Sequence, residues 1–177
     1  MGLRPARCYR TVKRPYTRVS QRKPRKGYVK AVPETKIHVF ITGDRIKQFD
    51  KTFYLISKSH IQIRHNAFEA ARIATSRFLD KTMGVNNYYL RFLVYPHHIM
   101  RENAMATGAG ADRYQSGMRL AFGRPAGRAA QVKVDQRLIE LRIVANFVPD
   151  AKKALKLASS KFPTVCQVIE GLPPIAQ

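Results

Sequence analysis

The chain has 177 residues and is 45% hydrophobic, with 33 Lys and Arg against 11 Asp and Glu, a formal charge of +22. That length and apolar content suit one domain with extensions and exclude a wholly disordered chain. The charge argues against a domain that works alone in solution, because self-repulsion of that size is useful only against a polyanion, and nucleic acid is the commonest.

Residues 1–30 hold eleven of the bases and no acid, and Pro5, Pro15 and Pro24 break any helix there. This stretch reads as an extended RNA-binding arm, residues 1–33. The bases assigned to RNA contact are Arg4, Arg7, Arg10, Lys13, Arg14, Arg18, Arg22, Lys23, Arg25 and Lys26, with Tyr9, Tyr16 and Tyr28 interleaved. Cations neutralise phosphate, and rings stack on unpaired bases.

A globular α+β domain is expected over residues 34–177, with an internal loop over 101–128. Period-two alternation predicts a strand over Thr35–Ile41, with Ile37, Val39 and Ile41 on one face. Phe53–Ser57 and the pair Ile61 and Ile63 read as strands. Asn66, followed by Glu69, has the form of a capping box opening a helix over 66–83. Phe68, Ala71, Thr75, Phe78, Leu79 and Met83 share its inner face, and Gly84 stands where the C-terminal cap belongs. Tyr88–Tyr95 predicts a strand stopped by Pro96. Val132–Val134 and Leu138–Phe147 predict two more, the latter with Ile139, Leu141, Ile143, Ala145 and Phe147 on one face. Asp150 is placed to cap a second helix running to Lys161, and Val165–Ile169 predicts a last strand. The order ββ-α-β, loop, ββ-α-β argues a mixed or antiparallel sheet with two helices on one face.

Between the halves lies Ala106–Gln131, with five of the ten glycines, four arginines and one acid, Asp112. It is not a Walker loop, since no GxxxxGK is present, and Gly108-Ala-Gly110-Ala-Asp-Arg113 puts Arg where a dinucleotide fingerprint needs its third Gly. His97 and His98 are adjacent and diverge, so they make poor joint metal ligands and read as surface or RNA-facing groups. Cys8 and Cys166 form no CxxC pair and fit a reducing compartment. No acids pair at a spacing that suggests acid–base or two-metal chemistry, and Asp112 is expected to ion-pair with Arg113 or a neighbouring base. No catalytic residue, metal or cofactor is assigned. What remains is flexible backbone beside Arg101, Arg113, Arg119, Arg124 and Arg128, whose forked donors suit phosphate or base edges.

Two other function classes compete with this one. An RNA-acting enzyme, a nuclease or modification enzyme using the Gly-rich loop, would depend on Asp112 or His98. A protein binding anionic membranes would need a basic amphipathic helix, for which only the segment with Lys152, Lys153 and Lys156 offers itself. No apolar run approaches the ~18 residues of a membrane span, and the N-terminus has no secretory h-region. The protein is expected to be cytoplasmic, with no membrane partner and no homo-oligomer.

The segments MGLRPARCYR, EAARIA, YP-HH-I at 95–99, AGADR at 109–113, SGMRLAFGRPAG at 116–127 and KFP at 161–163 together resemble one family. It is the universal large-subunit ribosomal protein family uL16, in its archaeal and eukaryotic form. The match covers residues 1 to about 163 in order. Thr164–Gln177 departs from the eukaryotic pattern, which points to the archaeal form. The resemblance implies an α/β-hammerhead-like fold and a structural, non-enzymatic role in the large ribosomal subunit. Large-subunit (23S-type) rRNA near the base of the central protuberance would be the partner, with contact to 5S rRNA and to neighbouring ribosomal proteins. It further implies that the loop points toward the peptidyl transferase centre and the tRNA acceptor end, supporting translation and late subunit assembly. On this resemblance Met105, Ala106, Thr107, Gly108, Ala109, Gly110, Ala111, Asp112 and Arg113 are the tRNA-facing loop. The arm bases with Arg119, Arg124 and Arg128 are the rRNA contacts.

Overall fold

The computed structural model describes residues 5–12, 29 and 31–171. Among the described residues there are eight strands: β1 (Ile41–Gly43), β2 (Lys51–Ser57), β3 (Ile61–Arg64), β4 (Tyr88–Phe92), β5 (His98–Glu102), β6 (Arg124–Val132), β7 (Arg137–Ile143) and β8 (Cys166–Gly171). The helices are α1 (His65–Thr82), the one-turn α2 (Ala111–Tyr114) and α3 (Val148–Ser159). The fold is α+β as expected, but the strands form two sheets, β1-β4-β7-β2-β8 and β3-β6-β5. All the pairings described are antiparallel.

In the larger sheet β7 lies between β4 and β2, and the register sets Ile139, Leu141 and Ile143 beside Phe92, Leu90 and Tyr88 on one flank. On the other flank the same three face Leu55, Phe53 and Lys51. α1 and α3 cover this face. Phe68 of α1 meets Phe162 edge-on at 5.3 Å between ring centroids, and both are buried in one core with Ala71, Leu79, Ala154, Leu155 and Ala158. The Tyr88 hydroxyl donates to Asp80 at 2.6 Å and ties β4 to the end of α1. Burial and that carboxylate both raise the phenol's pKa, burial more.

Several expectations are corrected. Of the strand predicted over Thr35–Ile41 only Ile41 is in one, as the first residue of β1; the residues before it have their backbone groups engaged singly. The Lys36 N–H goes to His65 Nδ1 at 3.1 Å and the Phe40 carbonyl accepts from Phe92. Ile37 is buried whereas Val39 is 47% exposed, so the alternation does not hold. No capping box forms at α1. β3 runs directly into the helix with Arg64 as the N-cap residue, and Glu69 instead receives Arg72 at 2.6 Å. α3 starts after a 3-10 turn, Ala145–Phe147, which ends β7 at Ile143 rather than at Phe147. Asp150 lies inside its first turn with Pro149 and is not the cap, though a carboxylate there still suits the helix dipole.

The largest correction concerns β5 and β6, which the glycines and Pro125 conceal in the sequence. Gly127 and Ala129 are buried small residues that let β6 pack closely. A Cβ on Gly127 would lie 3.2 Å from His65 Nε2 and 3.3 Å from Met100 Cε. Pro125 is tolerated because β6 pairs there with β5 alone, β3 joining only from Ala129.

Candidate nucleic-acid interface

The antiparallel pair β5–β6 makes the neck from which residues 103–123 project. Gly123 closes that neck. Its φ is +74°, and a Cβ would fall 2.8 Å from the Glu102 carbonyl carbon and 2.9 Å from the Asn103 nitrogen, backbone atoms that cannot give way. The Arg101 guanidinium lies 3.8 Å from the centroid of the Phe122 ring, a cation–π contact across the neck. Beyond it, Gln115 Oε1 accepts the Ala106 N–H at 2.8 Å and Asn103 Nδ2 donates to Met118 Sδ at 3.7 Å. Gly110 adopts the left-handed conformation that starts α2.

The loop therefore has a built shape, with its reactive surface outward. Met105, Ala106, Thr107, Gly108 and Ala109 are exposed, as are Asp112 and Arg113, while Gly110 and Ala111 are partly covered. Tyr114, Met118, Leu120 and Phe122 expose large apolar surface, Leu120 at 93% and with a left-handed φ of +55°. Asp112 makes no ion pair among the described residues, contrary to expectation; it occupies the first turn of α2.

The cations divide into two kinds. Arg113, Arg119 and Arg124 are exposed and without an ion pair among the described residues. Arg128 is half-buried. Its Nε donates to the Pro33 carbonyl at 2.6 Å and its Nη1 to the Tyr95 hydroxyl at 2.9 Å. Of the predicted arm contacts, Arg7 and Arg10 are described and exposed. Arg4, Lys13, Arg14, Arg18, Arg22, Lys23, Arg25 and Lys26, like Tyr16 and Tyr28, lie outside the described residues.

Sequence reasoning missed how the arm meets the loop. The Tyr9 hydroxyl donates to the Arg101 carbonyl at 2.8 Å, while Gln62 of β3 donates its backbone N–H to the Arg10 carbonyl at 2.8 Å and its Nε2 to the Tyr9 carbonyl at 3.1 Å. The start of the arm thus straps the small sheet and reaches the strand that holds the neck. Nothing in a lone Tyr between two arginines signals that role. Tyr9→Phe is expected to cost about 1 kcal/mol, the usual net worth of one hydrogen bond. Chemical denaturation would measure it, and faster amide exchange should be confined to β5 and the neck.

The histidines need correction. His97 is exposed and packs on Tyr95 at 4.6 Å between centroids, but His98 is buried in β5. Burial, and secondarily Arg101, lower the His98 pKa from its ordinary 6.5 to about 4. Burial, then Lys36, Arg64 and Arg128, lower that of His65. A histidine depressed on folding binds its proton more readily when unfolded. Stability is therefore complete above pH 6.5 and expected to decline as pH falls from there toward 4. Denaturant midpoints across that window should show a decline that His98→Asn reduces.

Among the described residues no group of three His, Cys, Asp or Glu could hold a metal ion, and no helix is long and apolar enough to cross a membrane. Cys8 and Cys166 are free, and burial pushes the Cys166 thiol up to about 11.

The family model described as ribosomal protein L16p/L10e matches residues 16–169. The chain belongs to the ribosomal protein L16p/L10e family. Relatives named large ribosomal subunit protein uL16 match along nearly the whole chain. The Methanococcus maripaludis C7 protein is 46% identical over 170 residues, spanning 96% of this chain and 94% of its own length. The Staphylothermus marinus protein is 43% identical over 181 residues, 99% and 100% of the two chains. That of Archaeoglobus fulgidus is 39% identical over 169 residues, 96% and 93%. These relatives are named as ribosomal proteins, which speaks against the RNA-acting enzyme reading of Asp112 and His98.

Proposed function

We propose that this protein is a structural constituent of the large ribosomal subunit in the cytoplasm. It binds 23S-type rRNA near the base of the central protuberance, within reach of 5S rRNA and neighbouring ribosomal proteins. The arm, residues 1–33, and the exposed arginines Arg119 and Arg124 make the rRNA contacts. Arg128, held by the Pro33 carbonyl and the Tyr95 hydroxyl, reaches RNA with the donors it has left. The globular part carries Met105–Arg113 toward the peptidyl transferase centre and the tRNA acceptor end, supporting translation and late assembly. The observation that carries this reading is a projecting, glycine-shaped loop whose arginines are unneutralised, in a chain of +22 similar over its length to large-subunit proteins.

Sucrose-gradient sedimentation of a tagged copy, followed by RNA crosslinking and sequencing, tests it. Co-migration with large subunits and crosslinks to large-subunit rRNA are expected. A protein that stays at the top of the gradient ends the proposal.

Deleting residues 106–111 separates loop from scaffold. Those residues contribute nothing to the core, so subunit incorporation and the denaturation midpoint should be unchanged. Peptide synthesis by the resulting subunits should drop roughly tenfold, the equivalent of one or two lost contacts of about 1 kcal/mol each. Failure to enter subunits would instead assign the loop to assembly.

A further inference from the structure

The face of the larger sheet opposite α1 and α3 is buried at its centre, where Thr52 and Glu140 lie under their neighbours' side chains, and exposed at Arg91 and Arg137, and its composition is unlike a bare solvated face. The register aligns two rows across the strands. One runs Gly43, Tyr89, Arg142, Thr52, Gly171, and the next Ile41, Arg91, Glu140, Tyr54, Ile169. Arg142 lies 5.1 Å from the centroid of the Tyr89 ring, and Arg137 lies 4.4 Å from that of Tyr54. Glu140, the one acid in the rows, is buried and accepts from Arg142 Nε at 2.6 Å. Its charge is taken up by that guanidinium. Arg91 and Arg137 are exposed and make no ion pair among the described residues.

We infer that this open sheet face is a further RNA-docking surface, separate from the arm and the loop, built for the phosphates and unpaired bases of ribosomal RNA. The inference rests on the ribosomal reading above. Two tyrosine rings lie beside two guanidinium groups, a pairing of aromatic surface with cationic N–H donors that suits unpaired bases and phosphate. Arg91, Arg137, Arg142 and Lys58 stand here against two acids, Glu140 and Asp135, which are held by Arg142 and Lys58, so the face carries a net positive charge complementary to a polyanion rather than to another protein of the same basic kind. Exposed apolar side chains in the rows amount to little beyond Ile169, at 40%, which is too little for a protein partner held by apolar burial.

The test places the photocrosslinker p-benzoylphenylalanine at position 89, Tyr89→p-benzoylphenylalanine, in a tagged full chain, with Arg113→p-benzoylphenylalanine as the loop control. Large subunits are isolated and irradiated. A crosslink from position 89 to rRNA supports the inference. Incorporation into subunits with crosslinks from position 89 only to protein, or to nothing, overturns it and leaves the ribosomal reading standing. Absence of both proteins from the subunits is the failure of that reading. In parallel, Arg91→Ala with Arg137→Ala should leave the unfolding midpoint in place and make the log–log salt slope of rRNA binding shallower by about 1.4, two phosphates at 0.7 each. An unchanged slope counts against the surface.

Discussion

Affinity of the isolated protein for 23S-type rRNA is expected to fall roughly 10³- to 10⁴-fold between 50 and 200 mM monovalent salt, because each neutralised phosphate releases counterions. With on the order of eight phosphates engaged, the log–log slope should be about −5 to −7. The distribution of charge in the structure supports a slope of that size. The described ion pairs draw their acids from the helices and the larger sheet: Glu69 with Arg72, Glu140 with Arg142, Asp150 with Lys153, Glu170 with Lys51, and Asp135 with Lys58 in the turn before β7. None reaches Arg7, Arg10, Arg113, Arg119 or Arg124. The strap and the loop therefore meet an RNA with their cations uncompensated, and residues 1–30 add further bases without a single acid. Filter binding across a salt series measures the slope. A value near zero would falsify electrostatic docking as the basis of recognition.

The same contrast explains what was legible beforehand. The helical periodicity from Phe68 to Met83 and the alternation in YYLRF follow from burial of one face, and RLIELRI keeps its apolar residues 139, 141 and 143 on the core side although Leu138 and Glu140 are buried too, so α1, β4 and β7 stand close to where pattern alone puts them. β5 and β6 were hidden because their packing uses Gly127, Ala129 and Ala130, residues whose small size reads as flexibility. In the structure that size is close contact with His65 and Met100. Thr35–Ile41 misled in the opposite direction, since alternation without a neighbouring strand is not a ladder. The loop's arginines were visible as composition. The neck was not, because Arg101 and Phe122 lie twenty-one residues apart and meet only through the β5–β6 pairing. The open sheet face left a readable trace, with Tyr89 and Arg91, then Glu140 and Arg142, on the polar side of two strands. Only the register shows that they share one surface.

Phe68→Ala is expected to cost about 3–5 kcal/mol of unfolding free energy, the range for truncating a buried aromatic side chain. The residue is wholly buried between α1 and α3 and edge-on to Phe162, so the cavity has walls on two elements and cannot close by moving one of them. Set against a domain stability of about 5–15 kcal/mol, that is a large share. Urea denaturation should show a lower midpoint at unchanged m-value, as loss of packing requires. Phe68→Leu should recover most of the loss, leaving a deficit of about 1.5 kcal/mol or less. The salt slope of rRNA binding, measured where the variant remains folded, should match that of the parent chain. Phe68 carries no charge, and the proposed RNA-facing cations sit on the strap, the loop and the opposite side of the sheet. A variant with an intact midpoint would mean that the two helices do not share the core described. A variant with an altered slope would mean that the helix layer itself sets how the cations are presented to RNA.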